Sequence, residues 1–391
     1  MLKFHLMAGL LFISQIAYSS TIINGDEQFN QYQNLLTKRK IGIVANNASV
    51  LSNGQNIVEF LRSKQINIQT IFALEHGFSA KVDAGEAINS GQESGIKLVS
   101  LYGQHKQPTA TDLAKLDLII FDVQDVGVRY YTYISSLQKV LEAGAKFNKP
   151  ILLLDRANPN SFYIDGPVLD KNYRSFVGMQ TVPIVYGMTI GEYAKMLIGE
   201  HWLELNNKQL ANLRLTIIPI KNYTHASLYT PPQPPSPNLP NLSAIYWYPS
   251  LGWFEGTKLS VGRGTVMPFQ VLGSPTLKSK FSFTPHAVIG AHNPPFLDES
   301  CFGWDLRMKP NQVLESTKRQ IQLNYLLQAY QQYPDKKKFF QADFFDKLAG
   351  NSQLRQQIIA GESEEAIRRS WQIGLNKFKL IRAKYLLYPD H

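Results

Sequence analysis

A carboxylate and an imidazole stand side by side at the end of an apolar run in this sequence. Residues 71–80 read IFALEHGFSA, so four apolar residues lead directly into Glu75 and His76. Removal from water at the end of a buried strand favours the protonated form of a carboxyl group, which is the form a general acid needs. We therefore predict Glu75 as a general acid, with capping of the following turn as the structural alternative. His76 either orients Glu75 or the substrate, or bonds to the loop backbone.

Other polar residues also follow apolar runs, and we expect them to meet at one edge of a sheet. In addition to Glu75, the polar residues at the ends of such runs are Asn46, Asn47, Tyr102, Asp122, Gln124, Asp125, Asp155, Arg156 and Asn158. Ligands of an open parallel sheet bind outside the carboxyl ends of its strands. Polar groups at five strand ends therefore favour a catalytic or binding site at that edge.

The stretch FDVQDVGVRYYTY, residues 121–133, is dense in hydrogen-bonding and aromatic groups. Carboxylates and amides can hold hydroxyl groups while Tyr131 and its aromatic neighbours stack on apolar ring faces, which is what sugar binding requires. The structural alternative is an ion pair between Asp125 and Arg129 that fixes the loop. Both interpretations stay open at this point.

Two further groups of charged residues extend the candidate site. Glu86 stands eleven residues beyond Glu75 and could face it across the loop, although a surface salt bridge explains it almost as well. In the second half, LGWFEGTKLSVGRGT brings Glu255 and Arg263 into one glycine-rich loop. Glycines allow close backbone approach, and Arg263 beside them suits an anionic or polar ligand. A tight β-turn with solvated charges is the alternative.

Short apolar runs alternate with helix-like segments from Lys40 to Arg156. The runs IGIVAN, IQTIFAL, IKLVSLYG, LDLIIFDVQ and PILLLDR are typical of parallel strands that are buried between helices on both faces. Between them, GQNIVEFLRSK and TYISSLQKVLEAGAKFN have helical spacing. The sequence therefore predicts an α/β fold with a Rossmann-like, open and mostly parallel sheet.

A Pro-rich segment, TPPQPPSPNLPN, divides the chain. We predict a Rossmann-like catalytic domain over residues 20–229 and a smaller α+β auxiliary domain over residues 230–391, with a cleft between them. The second domain has a strand-like segment from Phe281 and helical runs over residues 312–332 and 364–385.

The first residues have the pattern of a secretory signal. Lys3 precedes an apolar run, and small residues follow at Ala17 and Ser19, so we predict a signal peptide over residues 1–19 and a periplasmic or secreted protein. The apolar run is short for a bilayer, so a stable membrane anchor is the disfavoured alternative.

The single cysteine, Cys301, can form no intrachain disulfide, and we interpret it as a buried small residue.

The net charge of the chain and the absence of several sequence motifs limit the classes of function that we expect. The net charge of +10 suits anionic cell-wall material or a membrane surface, and the absence of a basic stripe interleaved with aromatics disfavours nucleic acid. No G-x-G-x-x-G follows the first predicted strand, so no dinucleotide cofactor is expected. A metal site made of His76, Asp122 and Asp125 is disfavoured because no compact ligand spacing appears. The signatures of serine acyl hydrolases and of P-loop enzymes are missing too.

Eight blocks of the sequence, in order, resemble one known family. They are LEHGFSAKVDAGE, SLYG, FDVQDVGVRYYTYISSL, LLDRANP, DGPVLD, SFVGMQTVPIVYGMTIGEYAKM, PSPNLPN and FEGTKLSVGRGT. Together they resemble the exo-β-N-acetylmuramidase (NamZ) family of peptidoglycan hexosaminidases, formerly a domain of unknown function, from about Lys40 to the C-terminal KYLLYPD.

The resemblance implies an exported glycosidase that releases N-acetylmuramic acid from the non-reducing end of peptidoglycan fragments or muropeptides. The glutamate of the family's Pro-Glu-His-Gly block, proposed as catalytic, falls on Glu75. Leu74 replaces the proline that is common in the family, and IGAHN stands where many members carry Ser-Lys. That second departure concerns the contacts of the loop that contains IGAHN and thus fine substrate preference.

Two parts of the implied mechanism stay open in the sequence. The lactyl carboxylate of muramic acid needs a cation, for which Arg129, Arg156 and Arg263 are available. A second catalytic group beside Glu75 is also needed. Its candidates are Glu86, Asp122 and Asp125, or the substrate's own acetamido group oriented by a carboxylate. A non-catalytic wall-binding protein and a wall amidase or deacetylase are the alternative functions.

Overall fold

The computed structural model of the protein describes residues 21–79, 82–83, 85–86, 90–103 and 105–391. The predicted signal peptide lies outside these described residues. Within them, no helix is both long enough and apolar enough to cross a membrane.

A seven-stranded sheet forms the centre of the N-terminal half of the chain. Its strands are β1 (Ile41–Val44), β2 (Ile68–Ala73), β3 (Gly91–Glu93), β4 (Ile96–Ser100), β5 (Leu118–Phe121), β6 (Ile151–Leu154) and β7 (Leu215–Ile218). They lie in the order β3-β4-β2-β1-β5-β6-β7, and the pairs are parallel apart from β3 with β4. The predicted α/β fold with a Rossmann-like, mostly parallel sheet is confirmed.

Helices cover both faces of this sheet. They are α1 (Phe29–Leu36), α2 (Ile57–Ser63), α3 (Ala110–Leu113), α4 (Tyr133–Lys146), α5 (Ile190–Gly199) and α6 (Asn207–Ala211). Successive strand residues point to opposite faces, so Ile71 packs in one apolar cluster with α1 and α2, and Phe72 packs in another with α4 and α5. This two-sided burial explains why the strands read as continuous apolar runs.

The C-terminal region, which we define as residues 242–391, contains a small antiparallel sheet with helices. Its elements are α7 (Leu242–Leu251), β8 (Val271–Ser274), β9 (Phe281–Phe283), β10 (Cys301–Asp305), α8 (Pro310–Thr317), α9 (Asn324–Gln332), α10 (Ala342–Ala349), α11 (Gln353–Ala360) and α12 (Glu364–Arg382). The strand order is β8-β10-β9. This small sheet with its helices confirms the predicted α+β architecture of the C-terminal part.

Some elements differ from the sequence prediction. The helical run expected over residues 312–332 is two helices, α8 and α9, because Lys318 and Arg319 adopt left-handed backbone conformations with φ of 51° and 55°. Strands β3 and β7 were not predicted at all. β3 has only three residues, and three of the four residues of β7 are at least partly exposed, so neither is a continuous buried apolar run.

Both ends of the described chain pack against the same segment, residues 221–225. The backbone of Ile23 exchanges two hydrogen bonds with Lys221, with N to O distances of 3.1 and 2.9 Å. From the other end of the chain, the carbonyl oxygen of Pro389 accepts a bond of 2.9 Å from the backbone N–H of His225. The C-terminal tail therefore returns to the N-terminal half of the molecule.

Candidate active site

A cleft of about 600 Å³ lies between the carboxyl ends of β2 and β4 and the C-terminal region. Six of the residues that the sequence nominated line it: Glu75, His76, Tyr102, Tyr131, Glu255 and Arg263. The site is therefore offset from the central crevice of the sheet, toward the edge that β4 and β3 form.

The carboxyl group of Glu75 is held at both oxygens by three segments of the chain. Its Oε1 accepts hydrogen bonds from the Tyr102 hydroxyl at 2.8 Å and from the Gly85 backbone N–H at 3.2 Å. Its Oε2 accepts from the Thr132 hydroxyl at 2.6 Å. Burial raises the pKa of Tyr102, so this phenol stays protonated and remains a donor. The carboxyl group is thus fixed in orientation while it lines the cleft.

His76 is buried beside Glu75 and bonds to the loop rather than to the carboxyl group. Its backbone has a φ of 70°, which is uncommon for a residue other than glycine and turns the chain sharply after β2. Nδ1 lies 2.8 Å from the carbonyl oxygen of Val82, and Nε2 lies 3.3 Å from the Ser236 hydroxyl. A carbonyl can only accept, so Nδ1 carries the proton. Burial lowers the pKa of His76, which favours this neutral ring.

Aromatic side chains form one wall of the cleft. Tyr130, Tyr131, Tyr248 and Phe269 line it, with ring centroids 5.2 Å apart for Tyr130 and Tyr248 and 4.9 Å apart for Tyr248 and Phe269. Tyr131 is anchored by its hydroxyl, which donates to the carbonyl of Pro235 at 2.8 Å. Such a wall can stack on the apolar face of a sugar ring.

A cation faces the cleft from the glycine-rich loop of the C-terminal region. Arg263 Nε donates to Glu255 Oε1 at 2.7 Å, and the guanidinium lies 5.2 Å from the centroid of Phe269. Its buried Nη1 has no hydrogen-bond partner among the described residues. Burial and the Glu255 carboxylate act oppositely on the pKa of Arg263, and the net shift is upward, so the group stays charged. The free Nη1 can therefore bind an anionic substituent.

The predicted residues Asp122 and Arg156 lie away from the cleft in a buried ion cluster. Arg156 donates to both oxygens of Asp122, at 2.6 and 2.8 Å, and to Asp26 Oδ2 at 2.9 Å. Its Nη1 donates to the carbonyl of Val50 at 2.9 Å. All three charged side chains are almost fully buried. Their contacts fit a structural role at the ends of β1, β5 and β6, and Asp26 was not identified in the sequence.

Asp125 and Arg129, which we predicted as catalytic and substrate-binding residues, are buried outside the cleft lining, and they do not form the ion pair that was the structural alternative. Arg129 donates instead to the carbonyls of Pro167, Val182 and Leu348, at 2.8, 2.8 and 2.9 Å. Asp125 accepts from the Gly127 N–H and from the Tyr186 hydroxyl. Burial raises the pKa of Asp125 to about 6. These contacts hold the loop after β5 without an ion pair.

The remaining nominated residues also bond to the protein rather than line the cleft. The side-chain amide of Asn46 donates to the Tyr133 hydroxyl at 2.7 Å, and that of Asn158 donates to the Met188 carbonyl at 2.8 Å. Gln124 Nε2 donates to the backbone of its own loop and of the β6 loop. Glu86 is exposed and does not line the cleft. The substrate-binding or catalytic roles of these four residues stay predictions. Their positions outside the cleft lining do not favour those roles.

Several residues of the cleft were missed in the sequence. Thr132 stands directly before α4, and Ser236 and Asn238 belong to the Pro-rich segment. The stretch IGAHNPPF contributes Gly290, Ala291, Asn293, Pro294, Pro295 and Phe296. The signal that could have found Thr132 is its place near the end of the FDVQDVGVRYYTY block. The IGAHN stretch was connected with substrate preference in the sequence, but none of its residues was nominated.

Comparison with known proteins gives a consistent picture over nearly the whole chain. Residues 41–243 match the family model described as Exo-beta-N-acetylmuramidase NamZ, N-terminal, and residues 246–388 match its C-terminal counterpart. The peptidoglycan beta-N-acetylmuramidase NamZ of Bacillus subtilis (strain 168) is 32% identical over 389 residues, covering 93% of this chain and 90% of that protein.

Two crystal structures of DUF1343 family proteins from Bacteroides fragilis NCTC 9343 have the same fold. One is 39% identical with a TM-score of 0.84, over 95% of this chain and 100% of the other. The second is 26% identical with a TM-score of 0.79, over 94% of this chain and 99% of the other. With both family models matched in order, the chain belongs to the NamZ family of exo-β-N-acetylmuramidases, which are glycosidases.

Proposed function

We propose that this protein is an exo-acting glycosidase that releases N-acetylmuramic acid from the non-reducing end of peptidoglycan fragments, with Glu75 as the general acid. The observation that carries the proposal is the carboxyl group of Glu75, which lines the cleft while Tyr102, Gly85 and Thr132 fix both of its oxygens. In this role, Glu75 transfers its proton to the glycosidic oxygen as the bond to the anomeric carbon breaks, and water completes the hydrolysis.

The rest of the cleft suits the proposed sugar. The aromatic wall, which includes Tyr131 and Tyr248, can stack on the pyranose ring. Arg263 offers its free Nη1 to the lactyl carboxylate, the group that distinguishes muramic acid from N-acetylglucosamine. Of the three arginines considered in the sequence, Arg129 and Arg156 bind buried protein groups outside the cleft lining, so Arg263, which lines the cleft, is the proposed partner.

The proposal is tested by turnover of two muramides by the purified chain that begins after residue 19. One is 4-nitrophenyl β-N-acetylmuramide, and the other is a wall disaccharide with muramic acid at its non-reducing end. We expect release of N-acetylmuramic acid from both, and little release from the 4-nitrophenyl N-acetylglucosaminide. Glu75→Gln should lower kcat on the disaccharide by about 10²–10⁴-fold, the range typical for loss of a general acid.

Glu59→Gln is the matched control, because it neutralises an exposed carboxylate of α2 that does not line the cleft. It should keep wild-type activity. No turnover of either muramide by the wild type would overturn the proposal. A deacetylase acting on the same wall material would instead release acetate and would be inhibited by a chelator, to which the proposed glycosidase is indifferent.

We also propose that the mature chain works outside the cytoplasm, as the predicted signal peptide over residues 1–19 and the net charge of +10 indicate. The N-terminal sequence of the protein recovered from cell fractions tests this directly. A mature start near Ser20 in the periplasm or medium supports export, and an intact Met1 in the cytoplasm would overturn it.

A further inference from the structure

The segment that follows His76 supplies backbone contacts to both residues of the Glu75–His76 pair. The carbonyl oxygen of Val82 accepts from His76 Nδ1 at 2.8 Å, and the N–H of Gly85 donates to Glu75 Oε1 at 3.2 Å. Asp83 lies between these two backbone groups in the sequence. Asp83 directly follows Val82 and stands two residues before Gly85, so fixing Asp83 restricts where both contacts can fall.

Asp83 lines the cleft beside the pair, and its side chain binds the C-terminal region. Its Oδ1 lies 2.6 Å from Nδ1 of His292, and its Oδ2 accepts from the backbone N–H groups of His292 and Asn293. Asp83 has only 7% of its surface exposed, whereas the side chain of His292 is 55% exposed, so these bonds are buried on the Asp83 side only. Three hydrogen bonds to an ionised carboxylate make a strong and well-directed attachment.

The loop that holds Asp83, which we call the late loop and define as residues 286–298, is itself fixed. The side-chain amide of Asn238 donates to the carbonyl of Gly290 at 3.0 Å. At the base of the loop, the His286 N–H donates to the carbonyl of Gly264 at 2.8 Å. The backbones of Val288 and Ala291 exchange two bonds across the turn. The late loop is therefore a firm support against which Asp83 can be held.

We propose that Asp83 is a positioning residue for the general acid. By binding the late loop, it holds Val82 and Gly85 where they orient His76 and Glu75, so the C-terminal region sets the geometry of a catalytic group that belongs to the N-terminal half. The inference rests on the proposed role of Glu75. It assigns Asp83 no contact with the substrate.

The test compares two leaving groups with Asp83→Ala. A sugar alcohol leaves poorly without a proton, whereas 4-nitrophenolate is stable as an anion and needs little help from an acid. We expect kcat on the disaccharide to fall by about 10–100-fold, which is typical when the support of a catalytic group is removed. On the 4-nitrophenyl muramide we expect a fall of less than about threefold, with KM unchanged on both substrates.

Asp83→Asn serves where Asp83→Ala folds poorly, since it keeps the side-chain size and one acceptor oxygen and should give an intermediate loss. His292→Ala should show the same dependence on the leaving group, and the double variant Asp83→Ala/His292→Ala should be no worse than Asp83→Ala alone. His286→Ala is the matched control. It removes the other imidazole of the late loop, which pairs with Asp298 within that loop.

Equal losses on the two substrates, or a change in KM alone, would overturn the inference, because a merely structural or binding role predicts those results. The proposed function is judged separately. If the wild type turns over both muramides and Glu75→Gln shows the leaving-group dependence while Asp83→Ala does not, only the role of Asp83 is overturned. If the wild type turns over neither muramide, both the proposed function and the role of Asp83 are overturned.

Discussion

Arg263 is the residue that we expect to separate muramic acid from N-acetylglucosamine. Its Nε donates to Glu255, while its buried Nη1 has no hydrogen-bond partner among the described residues. A hydrogen bond to a charged group contributes about 1.5–3 kcal/mol, which corresponds to about 10–100-fold in kcat/KM. Arg263→Gln should therefore lower kcat/KM on the 4-nitrophenyl muramide by about this factor. The measurement is the ratio of kcat/KM between the muramide and the glucosaminide.

Arg307→Gln is a suitable control for that experiment, because Arg307 also pairs with a carboxylate, Asp305, but outside the cleft. It should leave the ratio unchanged. If Arg263→Gln lowers kcat/KM equally on the muramide and the glucosaminide, Arg263 supports the structure of the cleft but does not bind the lactyl carboxylate.

Neutral His76 gives the fold a defined dependence on pH. Burial lowers the pKa of His76 in the folded state below the ordinary value of about 6.5 that it has in the unfolded chain. The unfolded state therefore binds the proton more readily, and the contribution of His76 to stability is complete above about pH 6.5 and is lost as the pH falls below it. We expect the Tm advantage of the wild type over His76→Gln to shrink on going from pH 8 to pH 5. A wider gap at pH 5 would contradict the neutral ring.

The sequence identified part of the site at the scale of single residues. Glu75 and Arg263 could be found because each is a charged group at a strand end or in a glycine-rich loop. Asp122 and Arg156 satisfy the same rule, yet they bond to each other below the surface. A strand-end position says which edge a residue occupies, but the partner that its side chain finds depends on distant residues such as Asp26, which no local pattern reveals.

At the scale of elements, the buried ion cluster explains why the cleft is offset from the central crevice of the sheet. The crevice beside β1 and β5, where the strand order reverses, is the usual ligand site of such sheets. Here Arg156 occupies that region with Asp122 and Asp26, and the cleft forms instead beyond β2 and β4. The loops after those two strands therefore carry Glu75 and Tyr102.

Removal of the cation from this cluster should be costly. Arg156→Ala leaves the carboxyl groups of Asp122 and Asp26 buried without their partner, and breaking a buried pair in this way typically costs about 3–5 kcal/mol. We expect the free energy of unfolding in urea to fall by about that amount. Arg214→Ala, which removes an exposed arginine bonded to Asn148, is the control and should change it by less than about 1 kcal/mol. Equal stability of Arg156→Ala and the wild type would show that the cluster adds nothing.

The elements that the sequence predicted are those with long apolar or helical periodicity. β1, β2, β4, β5 and β6 are confirmed because both of their faces are covered, which leaves a continuous apolar run. The break between α8 and α9 could not be predicted, since Lys318 and Arg319 are ordinary helix formers that take left-handed conformations here. Context beyond the segment decides such cases.

At the scale of the whole molecule, the C-terminal tail ties the two halves of the chain together. The Tyr388 hydroxyl donates to Asp155 Oδ2 at 2.6 Å and accepts from the Ile220 N–H at 2.9 Å. Glu192, in α5, accepts from the backbone N–H groups of Leu387 and Tyr388. The stability of the N-terminal half should therefore depend on residues at the far end of the sequence.

Tyr388→Phe tests this dependence. The change leaves the buried N–H of Ile220 without its acceptor. It also removes one donor from the carboxyl group of Asp155, whose pKa burial raises to about 7, although Thr189 still donates to it. Unsatisfied buried groups cost about 1–3 kcal/mol, so we expect Tm to fall by several degrees in one cooperative transition. Tyr385→Phe is a useful comparison. The hydroxyl of Tyr385 lies in the same tail and donates to Glu200, at the end of α5. Two separate transitions in the wild type would contradict the coupling of the halves.

The return of the tail also brings the two ends of the described chain to one place. Ile23 pairs with Lys221, and Pro389 bonds to His225, only four residues further on. A short glycine–serine linker could therefore join the ends into a circular backbone, and new ends could be opened in the turn before α6, where His201, Glu204 and Asn206 are exposed. Such a circularly permuted enzyme would keep the cleft intact, and it would free a remote site for attaching a label or a second protein.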